Sequence, residues 1–241
     1  ALDRLVLKKM KEDKISGITA LTFALNLTKV PNWILGFDIS HLQSNHIVAS
    51  SVSFRNGEPD KAGYRKFNIK TVSGKSNDPQ SMYEVVYRRL RACKETGQLP
   101  DLLLIDGGKG QLNYALKALY QLDLNQKIEI VALAKREEEC YLPGKDSTIK
   151  LPKNNSGLQL LQRVRDEAHR FAVSFQRQKR RQTDFLSELL TIDGMGIKRL
   201  NTLLHHYPDT EKLKSESIED IYNKTKLSKT IIKSIKKNIF D

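Results

Sequence analysis

From Trp33 onward, apolar residues fall into short runs rich in β-branched and aromatic side chains: WILGFDISHL, HIVASSVSF and YRKFNIKTV. Each run predicts a strand, and Asn56–Gly57 within FRNGEP supplies hairpin chemistry, so the three form an antiparallel meander. The period then changes. In DPQSMYEVVYRRLRACKETG, Met82, Val85, Val86, Leu90 and Cys93 recur at helical spacing, with Asp78 at the N-cap position, Pro79 in the first turn and Gly97 near the end. PDLLLIDG is apolar on both faces, as a buried parallel strand requires. GQLNYALKALYQL predicts a helix and KIEIVALAK another strand. After a polar stretch, GLQLLQRVRDEAHRFAVSFQRQKRRQ sets Leu158, Leu161, Val164, Ala168, Phe171 and Phe175 on one stripe of a long amphipathic helix.

Three strands, helix, strand, helix, strand, helix is the order of an α/β domain, a mixed sheet flanked by helices. Residues 1–30 alternate charge with Leu, Val and Ile around a break at Ser16–Gly17 and read as a helical lead-in that Pro31 terminates. Residues 31–183 then form the α/β domain. From residue 184 to residue 241 the pattern is short helices joined by tight turns, a second, small all-α domain.

Charge sharpens this division. The net charge is +13, yet residues 184–241 hold 10 Lys and Arg against 9 Asp and Glu, so nearly all of the excess lies before them. Between Arg163 and Arg181 seven basic residues meet only Asp166 and Glu167. Bunching of this kind points to a polyanionic partner more than to general solubility. No segment is long and apolar enough for a membrane span, and the first thirty residues do not have the order of a signal peptide. A chain that starts at Ala1 reads as a fragment or a processed product. Cys93 and Cys140 stand far apart without metal-ligand spacing, as free thiols of a reducing cytoplasm do.

Two acids stand where an open sheet gathers ligands. Asp38 lies within the first strand, facing away from Phe37 and Ile39, and Asp106 ends the LLLID strand. Carboxylates converging at strand ends repel one another unless a divalent cation lies between them, the requirement of a Mg²⁺ or Mn²⁺ site. The IDGGKGQ turn after Asp106 does not have the spacing of a P-loop or of a dinucleotide fingerprint, so no nucleotide cofactor is expected. Its amides and Lys109 suit a phosphate near Asp106, and its glycines read equally well as a bend alone. By spacing, His169 sits one residue off the apolar stripe and reads as a packed or surface residue. His41, His46, His205 and His206 have no better claim. In TIDGMGIKR, Gly194 and Gly196 follow the helix-hairpin-helix pattern, which aims backbone N–H groups at a DNA phosphate, with Lys198 and Arg199 adding charge.

Together, GFDISH, LIDGGKGQL, RDEAHRFA and IDGMGIKR resemble, in family order, the C-terminal half of the UvrC family of nucleotide excision repair endonuclease subunits. The resemblance spans residues 31–241. It implies an RNase H-like nuclease domain followed by tandem helix-hairpin-helix motifs, and hydrolysis of a DNA phosphodiester on the 5′ side of a lesion. It also implies a catalytic, metal-holding set of Asp38, Asp106 and His169, with Mg²⁺ or Mn²⁺ as cofactor and a supporting acid at Asp78. It is the resemblance that raises His169 to a site residue. Damaged double-stranded DNA and UvrB are the partners implied, the latter mainly through the family's region upstream of this chain. Arg170, Arg177, Lys179 and Arg180 become DNA-backbone contacts, together with Lys109 and the first hairpin. The second hairpin, NKTKLSKTIIKSI, departs from the family by having no glycine. The competing reading is a non-catalytic DNA-binding module that recruits other factors.

Overall fold

The structure, a computed structural model, describes residues 17–41, 47–69, 78–134, 138–208 and 210–240. The chain divides into two compact units, Ala1–Gln176 and Arg177–Asp241.

The first unit is built on one eight-stranded sheet. Its strands are β1 (Trp33–His41), β2 (Ile47–Arg55), β3 (Glu58–Pro59), β4 (Arg65–Asn68), β5 (Leu102–Asp106), β6 (Glu129–Leu133), β7 (Glu139–Tyr141) and β8 (Ile149–Lys150). They lie in the order β3-β2-β1-β5-β6-β7-β8, with β4 also paired to β2. β1, β5 and β6 are parallel neighbours, and the pairings of β2 to β1, β3 and β4 are antiparallel, as the meander requires. Asn56 (φ 51°) and Gly57 (φ 79°) both take left-handed backbone, the type I′ combination that turns β2 into β3. The polar stretch after β6 adds β7 and β8, which the sequence pattern does not announce. β7 is three residues long with only Cys140 buried, too short for an alternation to be seen.

The period-2 alternation of β1 and β5 separates two cores. Trp33, Leu35, Phe37, Leu103 and Ile105 point to one face, covered by α2 (Asp78–Glu95) through Met82, Val86 and Leu90 and by α3 (Lys109–Gln121) through Leu112 and Leu119. Ile34, Leu102 and Leu104 point to the other face, covered by Leu158, Leu161 and Val164 of α4 (Ser156–Thr191). The helix at residues 17–25, α1, adds Ile18, Leu21 and Leu25 to this second core. It crosses α4 at Gly157, where a β-carbon would meet Leu21 N at 2.5 Å. Residues 1–16 of the expected lead-in lie outside the described residues. Cys93 and Cys140 are free and buried; burial pushes both thiols up, Cys140 to about 11 with Glu138 adding to the effect.

α4 runs past Gln182, where the basic amphipathic pattern ends, to Thr191. The reason is local: residues 183–191 contain neither Gly nor Pro, and Phe185, Leu186 and Leu189 continue the stripe into a new core. In the second unit that core joins α5 (Ile197–His206), α6 (Thr210–Ser215), α7 (Ile218–Thr225) and α8 (Lys229–Phe240) through Leu203, Leu213, Ile221 and Ile232. Among the described residues no helix is long and apolar enough to cross a membrane.

Candidate metal centre

The β1–β5 ladder runs from Ile34↔Leu102 to Phe37↔Ile105. One residue further along each strand stand Asp38 and Asp106, both on the α4 face by the same alternation that buries Ile34 and Leu104 there. They are 3% and 8% exposed, so each carboxylate has lost nearly all its bulk water. Two like charges this close are unfavourable on their own.

The third donor comes from α4, which approaches the sheet closely because β1 and β2 offer small residues beneath it. A β-carbon on Gly36 would lie 2.6 Å from Val164 Cγ1, and Ser50 Oγ donates to the Ala168 carbonyl at 2.9 Å. The next residue is His169. Its Nδ1 stands 3.5 Å from Asp38 Oδ2, and its side chain is 52% exposed against 4% for the aspartate. Asp38, Asp106 and His169 each offer a ligand atom, all within 4.8 Å of one another. Two hard carboxylate oxygens and one imidazole in that space fit a divalent cation. Asp38 Oδ2 also accepts a 2.9 Å hydrogen bond from Ser40 Oγ.

After Asp106 the glycine turn feeds α3. Gly108 N donates to Gln111 Oε1 at 3.2 Å, closing the helix start. Gly107 alone is crowded, with Gln111 Cδ 2.9 Å from where a β-carbon would sit, whereas Gly108 and Gly110 face open space. Lys109 is exposed and pairs with Asp146 at 3.0 Å, a surface contact of little energetic consequence. The cleft over Asp106 and His169, about 310 Å³, is also lined by Arg165 and Asp166. Arg165 NH1 donates to both oxygens of Glu138 at 2.9 and 2.8 Å, and its Nε donates to Asp166 at 3.0 Å. These two cleft residues were not among the sequence candidates. Their positions, one turn before His169 on the same helix, were the available signal.

Arg170 binds Glu167 through Nε and NH2 at 2.7 and 2.6 Å, and Tyr64 Oη donates to the same carboxylate at 3.0 Å. The Arg170 guanidinium, helped by Tyr64 and opposed by burial, holds the Glu167 carboxyl below its usual range. Burial first, and then Glu167, push the Tyr64 phenol up. Arg177 and Arg180 are exposed, the latter 3.7 Å from Asp184. The side chains of Asp78, which opens α2, of Lys179 and of His41 lie outside the described residues, as does His46. His205 and His206 pack edge to face at the end of α5 and, among the described residues, join no donor set.

In the second unit Gly194 takes φ 80° and Gly196 caps α5. Arg199 NH1 donates to the Gly194 carbonyl and staples the turn, while Lys198 is left exposed. The glycine-free second hairpin repeats the backbone. Lys226 takes φ 56° where the first hairpin has Gly194, Leu227 is buried like Met195, and the Ser228 carbonyl accepts from Ile232 N as the Gly196 carbonyl does from Leu200 N.

A mixed sheet carrying two buried carboxylates at adjacent parallel strand ends, beneath a helix-borne histidine, defines an RNase H-like domain. The family model described as the UvrC RNAse H endonuclease domain matches residues 22–173. The chain belongs to the UvrC family. It is 43% identical over 232 residues to UvrABC system protein C of Prochlorococcus marinus subsp. pastoris, covering 86% of this chain and 35% of that protein. It is 41% identical over 236 residues to UvrABC system protein C of Dictyoglomus thermophilum, covering 98% and 39%. The chain thus spans about a third of the length of the first of these relatives. Solved structures with a similar course include Endonuclease V of Ciona intestinalis, with 10% identity, a TM-score of 0.43 and coverage of 63% of this chain and 88% of that one. Endonuclease V of Streptomyces avermitilis gives 13% identity and a TM-score of 0.41, covering 72% and 94%.

Proposed function

We propose that the chain is a divalent-metal-dependent endodeoxyribonuclease that makes the 5′ incision beside a lesion in nucleotide excision repair. The observation that carries this reading is the gathering of Asp38, Asp106 and His169 within 4.8 Å. Asp38 and Asp106 hold Mg²⁺ or Mn²⁺ through carboxylate oxygens, and His169 completes the set through its imidazole, which favours Mn²⁺. A bound divalent ion supplies Lewis acidity toward the scissile phosphate and lowers the pKa of a coordinated water. The half-exposed His169 ring, its Nδ1 3.5 Å from Asp38 Oδ2, would ligate the same ion or hold a proton beside the scissile phosphate. Burial of both aspartates keeps competing water from their oxygens, so their charge acts at short range.

In this reading residues 31–183 are the nuclease domain, with Asp78 in support, and residues 184–241 grip the DNA backbone. Gly194 and Gly196 aim amides at a phosphate, and Lys198, Arg199, Arg170, Arg177, Lys179, Arg180 and Lys109 add charge without reading sequence. The partners are damaged double-stranded DNA and UvrB, and the compartment is the bacterial cytoplasm.

The test is a lesion-bearing duplex already loaded with UvrB, incubated with the chain and Mn²⁺ or Mg²⁺ and resolved on a denaturing gel. The native chain nicks on the 5′ side of the lesion. Asp38→Asn abolishes nicking while DNA affinity stays nearly unchanged. Nicking that survives Asp38→Asn sinks the proposal, and a native chain that binds the loaded duplex without nicking it leaves a recruitment module.

A further inference from the structure

Behind the three donors stand two buried serines. Ser40 is 8% exposed and Ser50 is 0% exposed. Ser50 faces Asp38 across the β1–β2 ladder, on the α4 side of the sheet. The surrounding seam is apolar, made by Val52, Val164 and Ala168. Alanine would suit such a seam without needing a partner, and a hydroxyl placed there costs free energy unless it is hydrogen-bonded. Ser40 bonds a donor of the metal centre directly, and Ser50 bonds the backbone next to one. Ser50 Oγ donates to the carbonyl of Ala168, one residue before His169, fixing the rise and rotation of α4 at the turn that carries the imidazole. Ser40 Oγ occupies one lone pair of Asp38 Oδ2, the oxygen that faces His169 Nδ1.

We infer that Ser40 and Ser50 are positioning residues of the metal centre, Ser40 orienting the Asp38 carboxylate and Ser50 setting the His169 imidazole over it. The inference rests on the metal reading above. The physical reason is that ligand groups left free to rotate must be ordered when the cation binds, and partners behind the ligands order them beforehand.

The experiment is Mn²⁺ titration of the 241-residue chain, reading the electron paramagnetic resonance amplitude of free Mn²⁺, with circular dichroism confirming the fold of each variant. Ser40→Ala and Ser50→Ala are each expected to weaken Mn²⁺ binding on the order of 10-fold. Ser40→Thr, which keeps the hydroxyl, restores it. Ser50→Ala placed in a His169→Ala background adds no further loss, because the serine acts through that ring. Should Ser50→Ala not fold, Ser50→Cys carries the same test, being close in volume and a weak donor. A chain that takes up no Mn²⁺ overturns the metal reading and this role with it. A chain that binds Mn²⁺ equally well as Ser40→Ala and Ser50→Ala overturns the role alone. So does a Ser50→Ala loss that persists undiminished without His169, since the serine would then only hold α4 to the sheet.

Discussion

Val164 of the long helix rests directly on Gly36 of the central strand, with room for no side chain between them. A β-carbon at residue 36 would stand 2.6 Å from Val164 Cγ1 and 3.0 Å from Val52 Cγ2. The backbone of Gly36 is not left-handed, so the space between sheet and helix is what demands glycine. Gly36→Ala is therefore expected to cost about 1–3 kcal/mol of stability through overpacking. It also lifts α4 and with it His169, so Mn²⁺ affinity falls as well. Adding Val164→Ala returns volume to the seam and recovers part of both losses. Urea denaturation with Mn²⁺ titration on the single and double variants checks this, and additive losses would show that the two residues are not coupled.

The part of this arrangement visible in the sequence is the part carried by periodicity. Alternation along WILGFDISH and LLLID assigns Asp38 and Asp106 to one face, and the apolar stripe of α4 places that helix across it. What alternation omits is the distance between layers. Gly36 and Ser50 set that distance, and each reads in the sequence as an unremarkable small residue in a strand. For this reason spacing alone reads His169 as a packed or surface residue, and it is the resemblance of RDEAHRFA to a known family that singles it out. The short strands after β6 were hidden for a different cause: a three-residue strand buries one side chain, which is no pattern at all.

Lys109 tests whether the glycine turn serves phosphate binding or only mounts Asp106. Its ammonium is exposed and paired to Asp146 at the surface. Lys109→Ala is expected to change stability by less than about 0.5 kcal/mol and to leave Mn²⁺ affinity unaltered. If the lysine neutralises a DNA phosphate, log affinity plotted against log salt becomes shallower by about 1. Fluorescence anisotropy with labelled duplex at several salt concentrations gives that slope. An unchanged slope removes Lys109 from the DNA-contacting set and leaves the turn as a mounting for the carboxylate.

The two hairpins make opposite predictions for the same kind of turn. Gly194 adopts φ 80° and a β-carbon there would come within 3.3 Å of Ile231 Cδ1, so Gly194→Ala is strained by conformation and contact together. A loss of about 1–2 kcal/mol is expected. Gly196→Ala meets open space and extended backbone, so its cost is that of a poorer N-cap alone, about 0.5–1 kcal/mol. Lys226 holds φ 56° with a side chain that disfavours it, so Lys226→Gly is expected to stabilise the second unit by about 0.5–1 kcal/mol. The same change removes a positive charge beside a hairpin turn. If that hairpin touches DNA, affinity falls while stability rises, a divergence that thermal melting and a binding titration on one variant will reveal.

The contact between Tyr64 and Glu167 ties the β4 edge of the sheet to the turn of α4 just before His169, and its two ends titrate in different pH ranges. Arg170, with help from Tyr64 and against burial, holds the folded Glu167 carboxyl below its unfolded value. A depressed carboxyl pKa stabilises the fold above the unfolded pKa of about 4.3, and that contribution is lost as pH falls through the folded value. The stability gap between the native chain and Glu167→Gln should thus be widest near neutrality and close in acid below about pH 4. Tyr64 behaves in reverse. Burial and the Glu167 charge raise its phenol, so its contribution is complete below the unfolded pKa of about 10 and declines only as pH climbs past it. Tyr64→Phe keeps the ring against Phe171 but loses the hydrogen bond. Its deficit against the native chain should hold from neutrality to about pH 10 and shrink beyond it. Urea denaturation across both ranges separates the two residues. A Glu167→Gln gap that stays constant through the acid range would mean that the carboxylate gains nothing from Arg170 and Tyr64 in solution.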